Sequence, residues 1–539
     1  MRRTAQTVRT LLAAAAVLAP CATCPAGPQD APPEPPRDRV RVTLPASSAS
    51  LLDGGPRAGR MILFLAGPKV PDGTAPSEAP FLDAPQPMFS VEVDDLVPGV
   101  PVTLDAAALS FPGPVDGLDG TFRVQAVFRR NADERGHLGP GNLLSAPRAV
   151  TFSAAAAEEV EVELTSRIEA PALPVRPNLR WFSMRSELLS RAAGREVTMR
   201  AGVALPPGWS DPNHRRRFFP AVYCVPWFGA RYTDAARLAE RLANPEVAQL
   251  MAPAVHVVLD PEAPLGHHGF VDSAANGPWG TALVTELLPA LEREFRLVSR
   301  PEARIVTGHS SGGWSALWLA LAHPETFGAC FASSPDPVDF SRFQTCDLYR
   351  DPSLFTDDDG KERPMFRSVV AKGFGKPGAT VREAVAMERV LGPAHDSGEQ
   401  WDTWSAMWSP VRPGTRRPLP PCDGESGAID ARVVAGAWSR YDVAALVRKD
   451  PATYVPLLRE RVRVLCGSDD EFMLDRGVQG LREAADAGAE ALMSRGQMLA
   501  DGPGYVEIVP DLDHRSMFPA AAVRWHAEMR EHLRRNGLD

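Results

Sequence analysis

The stretch ARIVTGHSSGGWSALWLALAHPETF, residues 303–327, constrains this chain more than any other. A short apolar run ends in a histidine, two serines and two glycines, and an Ala/Leu-rich run follows at once. Those residue types predict a strand that turns directly into a helix. Gly308 and Gly312 stand two residues to either side of Ser310, giving G-x-S-x-G. In a turn of that kind the central residue is held in a strained backbone conformation, and its neighbours must be small so that strand and helix nearly touch. The competing reading is a Gly/Ser turn without chemistry, because a chain with 43 glycines produces such patterns by chance. The rest of the sequence decides between them.

A chain of 539 residues exceeds one ordinary core, so two domains are expected. From 39 to 168 short, partly alternating apolar runs such as RMILFLAG, TFRVQAVFRR and EEVEVELTS are separated by Gly, Pro and Asp. That spacing suits an all-β domain, an immunoglobulin-like sandwich. It holds no cluster of catalytic residue types, so a structural or docking module is expected. A Pro-rich linker over 169–176 follows. Beyond it, over 177–539, strand-like runs (PAVYCVP, HVVLD, RIVTG, ACFASS, RVRVLCG, VEIVP) alternate with helical patterns. One of these, GTALVTELLPALEREF, places Val284, Leu287, Leu288, Leu291 and Phe295 on one helical face. Such alternation predicts an α/β domain with a mostly parallel sheet covered on both sides. An insertion over about 336–456, rich in Pro, Gly, Asp and Trp, breaks the rhythm at the sheet edge where open α/β sheets place their sites.

The termini and the charge narrow the class. Arg2, Arg3 and Arg9 precede LLAAAAVLAP, too short a run to span a bilayer comfortably, and CATCPAG follows. This reads as a signal peptide over 1–26, then a Pro-rich linker over 27–38. The expected location is periplasmic or extracellular, with lipid anchoring at Cys21 as the alternative to simple cleavage and envelope association through the N-terminus. A net charge of −9 argues against a nucleic-acid partner. Cys224, Cys330 and Cys466 lie in apolar runs and are expected buried and free, whereas Cys346 and Cys422 share a polar segment and are candidates for a disulfide. No CxxC pair follows the leader and no HExxH occurs, so no metal is expected.

If Ser310 is a nucleophile it needs a base, since a serine hydroxyl is protonated at neutral pH. Of the 11 histidines, His514 follows the apolar strand VEIVP and a loop, which brings it to the sheet edge of Ser310. His526 and His532 fall on the polar side of the last helix and read as solvated surface; His309 belongs to the turn itself. An acid must then fix the imidazole tautomer. Asp470, three residues past Gly467, fills that role, with Asp469, Glu471 and, after the preceding strand, Asp336 as competitors. The order Ser310, Asp470, His514 is that of α/β-hydrolases. An oxyanion needs two donors: the Ser311 backbone N–H, and from the loop VPWFGAR the Phe228 backbone N–H. Trp227 in that loop is expected to line a pocket, as are His267, His268, Asp272 and Ser273 after HVVLD. Trp401, Trp404 and Trp408 either stack on a substrate ring or form one buried helical face.

The stretches FPAVYCVPWFGA, GHSSGGWSALWLALAHPETF, SSPDPVDF and LCGSDDEFML resemble the putative esterase family, the α/β-hydrolases that include esterase D, feruloyl esterases, mycolyltransferases and enterochelin-esterase-like proteins. The resemblance covers most of 177–535 and is nearest to an exported branch with an N-terminal β domain. It implies a carboxylic-ester substrate, no cofactor, and Ser310, Asp470 and His514 as nucleophile, acid and base. Where the family usually has glycine in the oxyanion loop, this chain has Trp227. The expected activity is an exported serine esterase acting through an acyl-enzyme on a small-molecule or carbohydrate-linked ester. Acyl transfer by the same residues, or a non-catalytic carbohydrate- or envelope-binding protein on the same fold, are the alternatives.

Overall fold

Eight strands form the sheet of the larger part of the chain: β1 (Leu179–Arg185), β2 (Thr198–Ala204), β3 (Ala221–Val225), β4 (Val255–Leu259), β5 (Arg304–His309), β6 (Ala329–Ser333), β7 (Val462–Gly467) and β8 (Tyr505–Val509). The computed structural model describes residues 39–79, 81–153, 159–370 and 373–538, so the expected leader with Cys21 and the spacer over 27–38 lie outside the described residues. The strand order is β1-β2-β4-β3-β5-β6-β7-β8. The β1/β2 and β2/β4 pairs are antiparallel and every later pair is parallel. This is the α/β-hydrolase arrangement.

The apolar runs of the central strands follow from burial on both faces, with alternate residues entering two different cores. Tyr223, Val306, Cys330 and Val464 enter one core, while Val222, Ile305, Phe331 and Leu465 enter the other. The helix Ser311–Ala322 covers the first face, and Met517, Ala521, Trp525 and Met529 of the helix His514–Arg535 cover the second.

Three local expectations change. In GTALVTELLPALEREF the turn Leu283–Leu287 is a π-helix ahead of Leu288–Phe295, where Pro289 offers no N–H to the preceding turn. The wider turn leaves Val284 half-buried while Leu287, Leu288, Leu291 and Phe295 are buried. Cys346 and Cys422 are free thiols, so the expected candidate disulfide is not formed. Each sits in its own bridge, Phe343 with Cys346 and Cys422 with Ile429, and Cys346 Sγ donates to the Ser353 carbonyl at 3.8 Å. His526 and His532 are half-buried rather than solvated. His532 Nε2 lies 2.8 Å from the Glu302 carbonyl oxygen, and burial pushes His526 down to about 3.

Strands between Arg39 and Arg167 join in a second sheet, in which the first strand, Arg39–Thr43, runs parallel to the last, Glu159–Arg167. It has its own core, with Met61, Leu63, Phe89, Phe128 and Leu164 fully buried. Between β6 and β7 the chain leaves the main sheet and includes the helices Val381–Leu391 and Gln400–Trp408 before rejoining it.

Candidate active site

At the end of β5 the chain turns at Ser310, whose φ of 58° and ψ of −127° lie outside the regions open to an unstrained L-residue. Only glycine fits around it. A Cβ on Gly308 would stand 2.1 Å from the Gly312 carbonyl oxygen, and one on Gly312 the same distance from the Val225 carbonyl oxygen at the end of β3. The helix Ser311–Ala322 starts at the next residue, so the Ser311 N–H is one of the first-turn donors that lack an intrahelical partner.

His514 is the first residue of its helix, capped by Asp513, whose carboxylate and the Ser516 hydroxyl bond each other's backbone. Its Nδ1 lies 2.7 Å from Asp470 Oδ2, and its backbone N–H donates to Glu471 Oε2 at 2.6 Å. Asp470 is fully buried, and its Oδ1 accepts from the Phe472 N–H at 3.0 Å. Burial acts most strongly on the His514 imidazole and lowers its pKa, but the charge and hydrogen bond of Asp470 outweigh it and leave the pKa raised. The neighbouring His309 is instead held neutral by burial and by His514, with its Nδ1 2.8 Å from Ser333 Oγ.

The competing acids have other partners. Asp336 Oδ2 accepts from Ser311 Oγ at 2.7 Å and Trp404 Nε1 at 2.8 Å, and burial raises its pKa. Asp469 bonds Ser468, and Glu471 holds the His514 backbone rather than its ring.

Ser310, His514, Trp227, Phe228, Asp336 and Trp404 open on one cavity of 770 Å³. The Phe228 N–H donates to no protein group among the described residues. The loop that carries it is braced on both sides: His267 Nε2 lies 2.9 Å from the Pro226 carbonyl oxygen, and the Arg135 guanidinium stacks 4.2 Å above the Phe228 ring. Arg135 also pairs with Glu262 at 2.8 Å.

Five residues expected in the pocket wall, His267, His268, Asp272, Ser273 and Trp401, do not line the cavity: His267 supports the Pro226 carbonyl, the Asp272 carboxylate accepts from Thr281, and Ser273 Oγ accepts from the Asn276 N–H. His268 is fully buried, stacked 3.7 Å from the Trp279 ring. The loop after β4 tucks under the helix Gln400–Trp408 so closely that a Cβ on Gly266 would stand 1.8 Å from Thr403 Oγ1, which turns His268 inward. Trp401 is buried against Phe343 and Trp404, with ring centroids at 5.7 and 4.9 Å, and does not reach the cavity. Trp408 packs against Trp438 in the same core. Of the three tryptophans only Trp404 meets the cavity, because a helix presents successive turns to different neighbours.

The sequence reading missed the part of the wall supplied by the N-terminal sheet, including Phe81, Leu82, His137 and Leu138. No local pattern marks them, since they are ordinary loop residues until the two sheets pack together.

No curated protein matches this chain. Among solved structures it is similar to a ferulic acid esterase, with 14% identity over 66% of this chain and 98% of that one at a TM-score of 0.38. It is also similar to an S-formylglutathione hydrolase from Agrobacterium tumefaciens, with 20% identity over 65% and 95% of the two chains and a TM-score of 0.34. A third is a ferulic acid esterase from Anaeromyces mucronatus, with 12% identity over 67% and 93% and a TM-score of 0.31. The family described as "Putative esterase" matches residues 190–496, a span that holds Ser310 and Asp470 and ends just before β8. With more than half of its length inside that match, the chain belongs to the putative esterase family.

Proposed function

We propose that this chain is an exported serine hydrolase that cleaves a carboxylic ester through an acyl-enzyme. The observation that carries the reading is that the strained Ser310 and the Asp470-bound imidazole of His514 open on one cavity. Ser310 Oγ attacks the ester carbonyl while His514 Nε2 takes its proton. The Ser311 and Phe228 N–H groups receive the oxyanion, a contribution of about 3–4 kcal/mol for each such donor. His514 then protonates the departing alcohol, and water, activated by the same imidazole, releases the acid. Asp470 keeps the Nδ1–H tautomer, so that Nε2 is free to accept.

Around this centre the reading assigns 39–168 to a β-sandwich domain and 177–539 to the hydrolase domain, with about 336–456 as a cap. The separate core of the N-terminal sheet and the chain's departure between β6 and β7 support that division. Export is supported by the arginines and apolar run of the first 26 residues. The partner is a small-molecule or carbohydrate-linked ester.

The test is turnover of short p-nitrophenyl esters and labelling by a fluorophosphonate, in the wild type and in Ser310→Ala. Turnover and labelling are expected in the wild type and lost in the variant, with the melting curve kept. Labelling of the alanine variant at the wild-type level would move the nucleophile elsewhere.

A further inference from the structure

The cavity at Ser310 is not enclosed by the α/β part alone. One wall belongs to the N-terminal sheet: Ala79, Phe81, Leu82 and Met88 on one segment, and His137 with Leu138 on the loop after the strand Gly120–Arg129. Facing it are Ala384, Met387 and Leu391 of the helix Val381–Leu391. These walls are packed as one unit. Ile62, Phe64, Met88 and Phe111 share a buried cluster with Met387, Val390 and Leu391. The Ala379 N–H donates to the Leu82 carbonyl at 2.7 Å, and Ser90 Oγ donates to the Val390 carbonyl at 2.5 Å. Arg129 donates to the carbonyls of Leu391 and Asp396 at 3.3 and 3.0 Å. With Arg135 seated on Phe228, the N-terminal sheet is tied both to the helix and to the loop beside Ser310.

The chemistry of the enclosed space is one-sided. Both walls are mainly apolar, and the acids at the cavity are Glu78, Asp83, Asp336, Glu388 and Glu399, against Arg515 as the one Lys or Arg among its described lining residues. Glu388 is committed to the backbone N–H groups of Trp401 and Asp402, both at 2.9 Å, and Asp336 to Ser311 and Trp404. Glu399 lies 3.8 Å from the Arg135 guanidinium, which leaves Glu78 and Asp83 to favour an uncharged group and repel an anion, including the carboxylate released by ester hydrolysis.

We propose that the N-terminal β region is part of the substrate site: with the helix Val381–Leu391 it forms an apolar subsite that takes the bulky, uncharged hydrocarbon part of the ester cleaved at Ser310 and disfavours anionic esters. This rests on the hydrolase reading of Ser310. It also gives the β region a role other than a remote docking module.

The experiment uses the full chain with p-nitrophenyl acetate, p-nitrophenyl hexanoate and the p-nitrophenyl monoester of glutarate, an anion of similar length to the hexanoate. The wild type is expected to prefer hexanoate to both others in kcat/KM. Leu138→Asp and Phe81→Ala are expected to lower the hexanoate-to-acetate ratio about tenfold, through KM, as a lost apolar contact does. Leu138→Met restores it. Leu138 is 40% exposed, so its substitution leaves the fold in place, and fluorophosphonate labelling of Ser310 reports an intact site in each variant. Unchanged ratios in both variants, or a wild-type preference for the glutarate ester, overturn the subsite while the hydrolase reading stands. A wild type that neither turns over any ester nor takes the label overturns both.

Discussion

Replacing Asp470 by Asn separates the roles of charge and shape at the site. Asp470 Oδ1 accepts from the Phe472 N–H at 3.0 Å and Oδ2 faces His514 Nδ1 at 2.7 Å. An asparagine that keeps the first bond must turn its NH₂ group toward Nδ1. Two donors cannot face each other, so the imidazole places its proton on Nε2 and can no longer accept from Ser310. The expected loss is about 10⁴-fold in kcat, or about 5.4 kcal/mol of barrier.

The pH profile gives a second, independent readout. Activity needs a neutral imidazole, so wild-type kcat/KM falls as pH drops through the raised pKa of His514, above the ordinary value of about 6.5. In Asp470→Asn burial still lowers that pKa while the opposing carboxylate is gone, and the acid limb moves to lower pH. Stability runs the opposite way with pH, because it depends on the protonated rather than the neutral imidazole. A raised folded pKa stabilises the protein fully below the unfolded value and loses that contribution as pH rises through the folded one, so the wild type loses it above about 6.5. The assay is kcat/KM on p-nitrophenyl acetate from pH 5 to 9, with melting curves across the same range. A variant within tenfold of wild type and with an unmoved acid limb refutes the assignment. Asp336→Asn as the crippling change would place the acid at the end of β6.

Two further substitutions test the packing that holds the site. Trp401→Ala is expected to cost about 3–5 kcal/mol of stability and to lower activity on all esters alike, whereas Trp401→Phe is mild because the buried Trp401 Nε1 has no hydrogen-bond partner among the described residues. A selective rise in KM for bulky esters in a stable Trp401→Ala protein would return that ring to the pocket. Gly312→Ala drives a Cβ to 2.1 Å from the Val225 carbonyl oxygen, with an expected cost of about 1–3 kcal/mol by overpacking and, as the oxyanion loop shifts, a kcat loss of about 10²-fold. Gly73→Ala, with open space around it, changes neither, and equal melting temperatures for the two variants would contradict the close approach at the elbow.

What could be read from the residues alone was whatever local geometry imposes. Gly308, Ser310 and Gly312 announced a tight strand-to-helix turn because side chains there collide with backbone. The apolar runs before Ser310, Asp470 and His514 marked strand ends, and parallel strands deliver such ends to one edge wherever they lie in the sheet. Other features needed the tertiary structure because they depend on which distant surfaces meet. His268 and Trp401 have pocket-like compositions around them, yet the loop after β4 and the helix Gln400–Trp408 bury them against each other and the core. Leu138 and Phe81 carry no local signal, since their place beside Ser310 arises from the cluster that Phe64 and Met88 share with Met387 and Leu391. Hydrophobic burial is non-directional: sequence specifies that these faces must be covered, and only the packed fold decides by what.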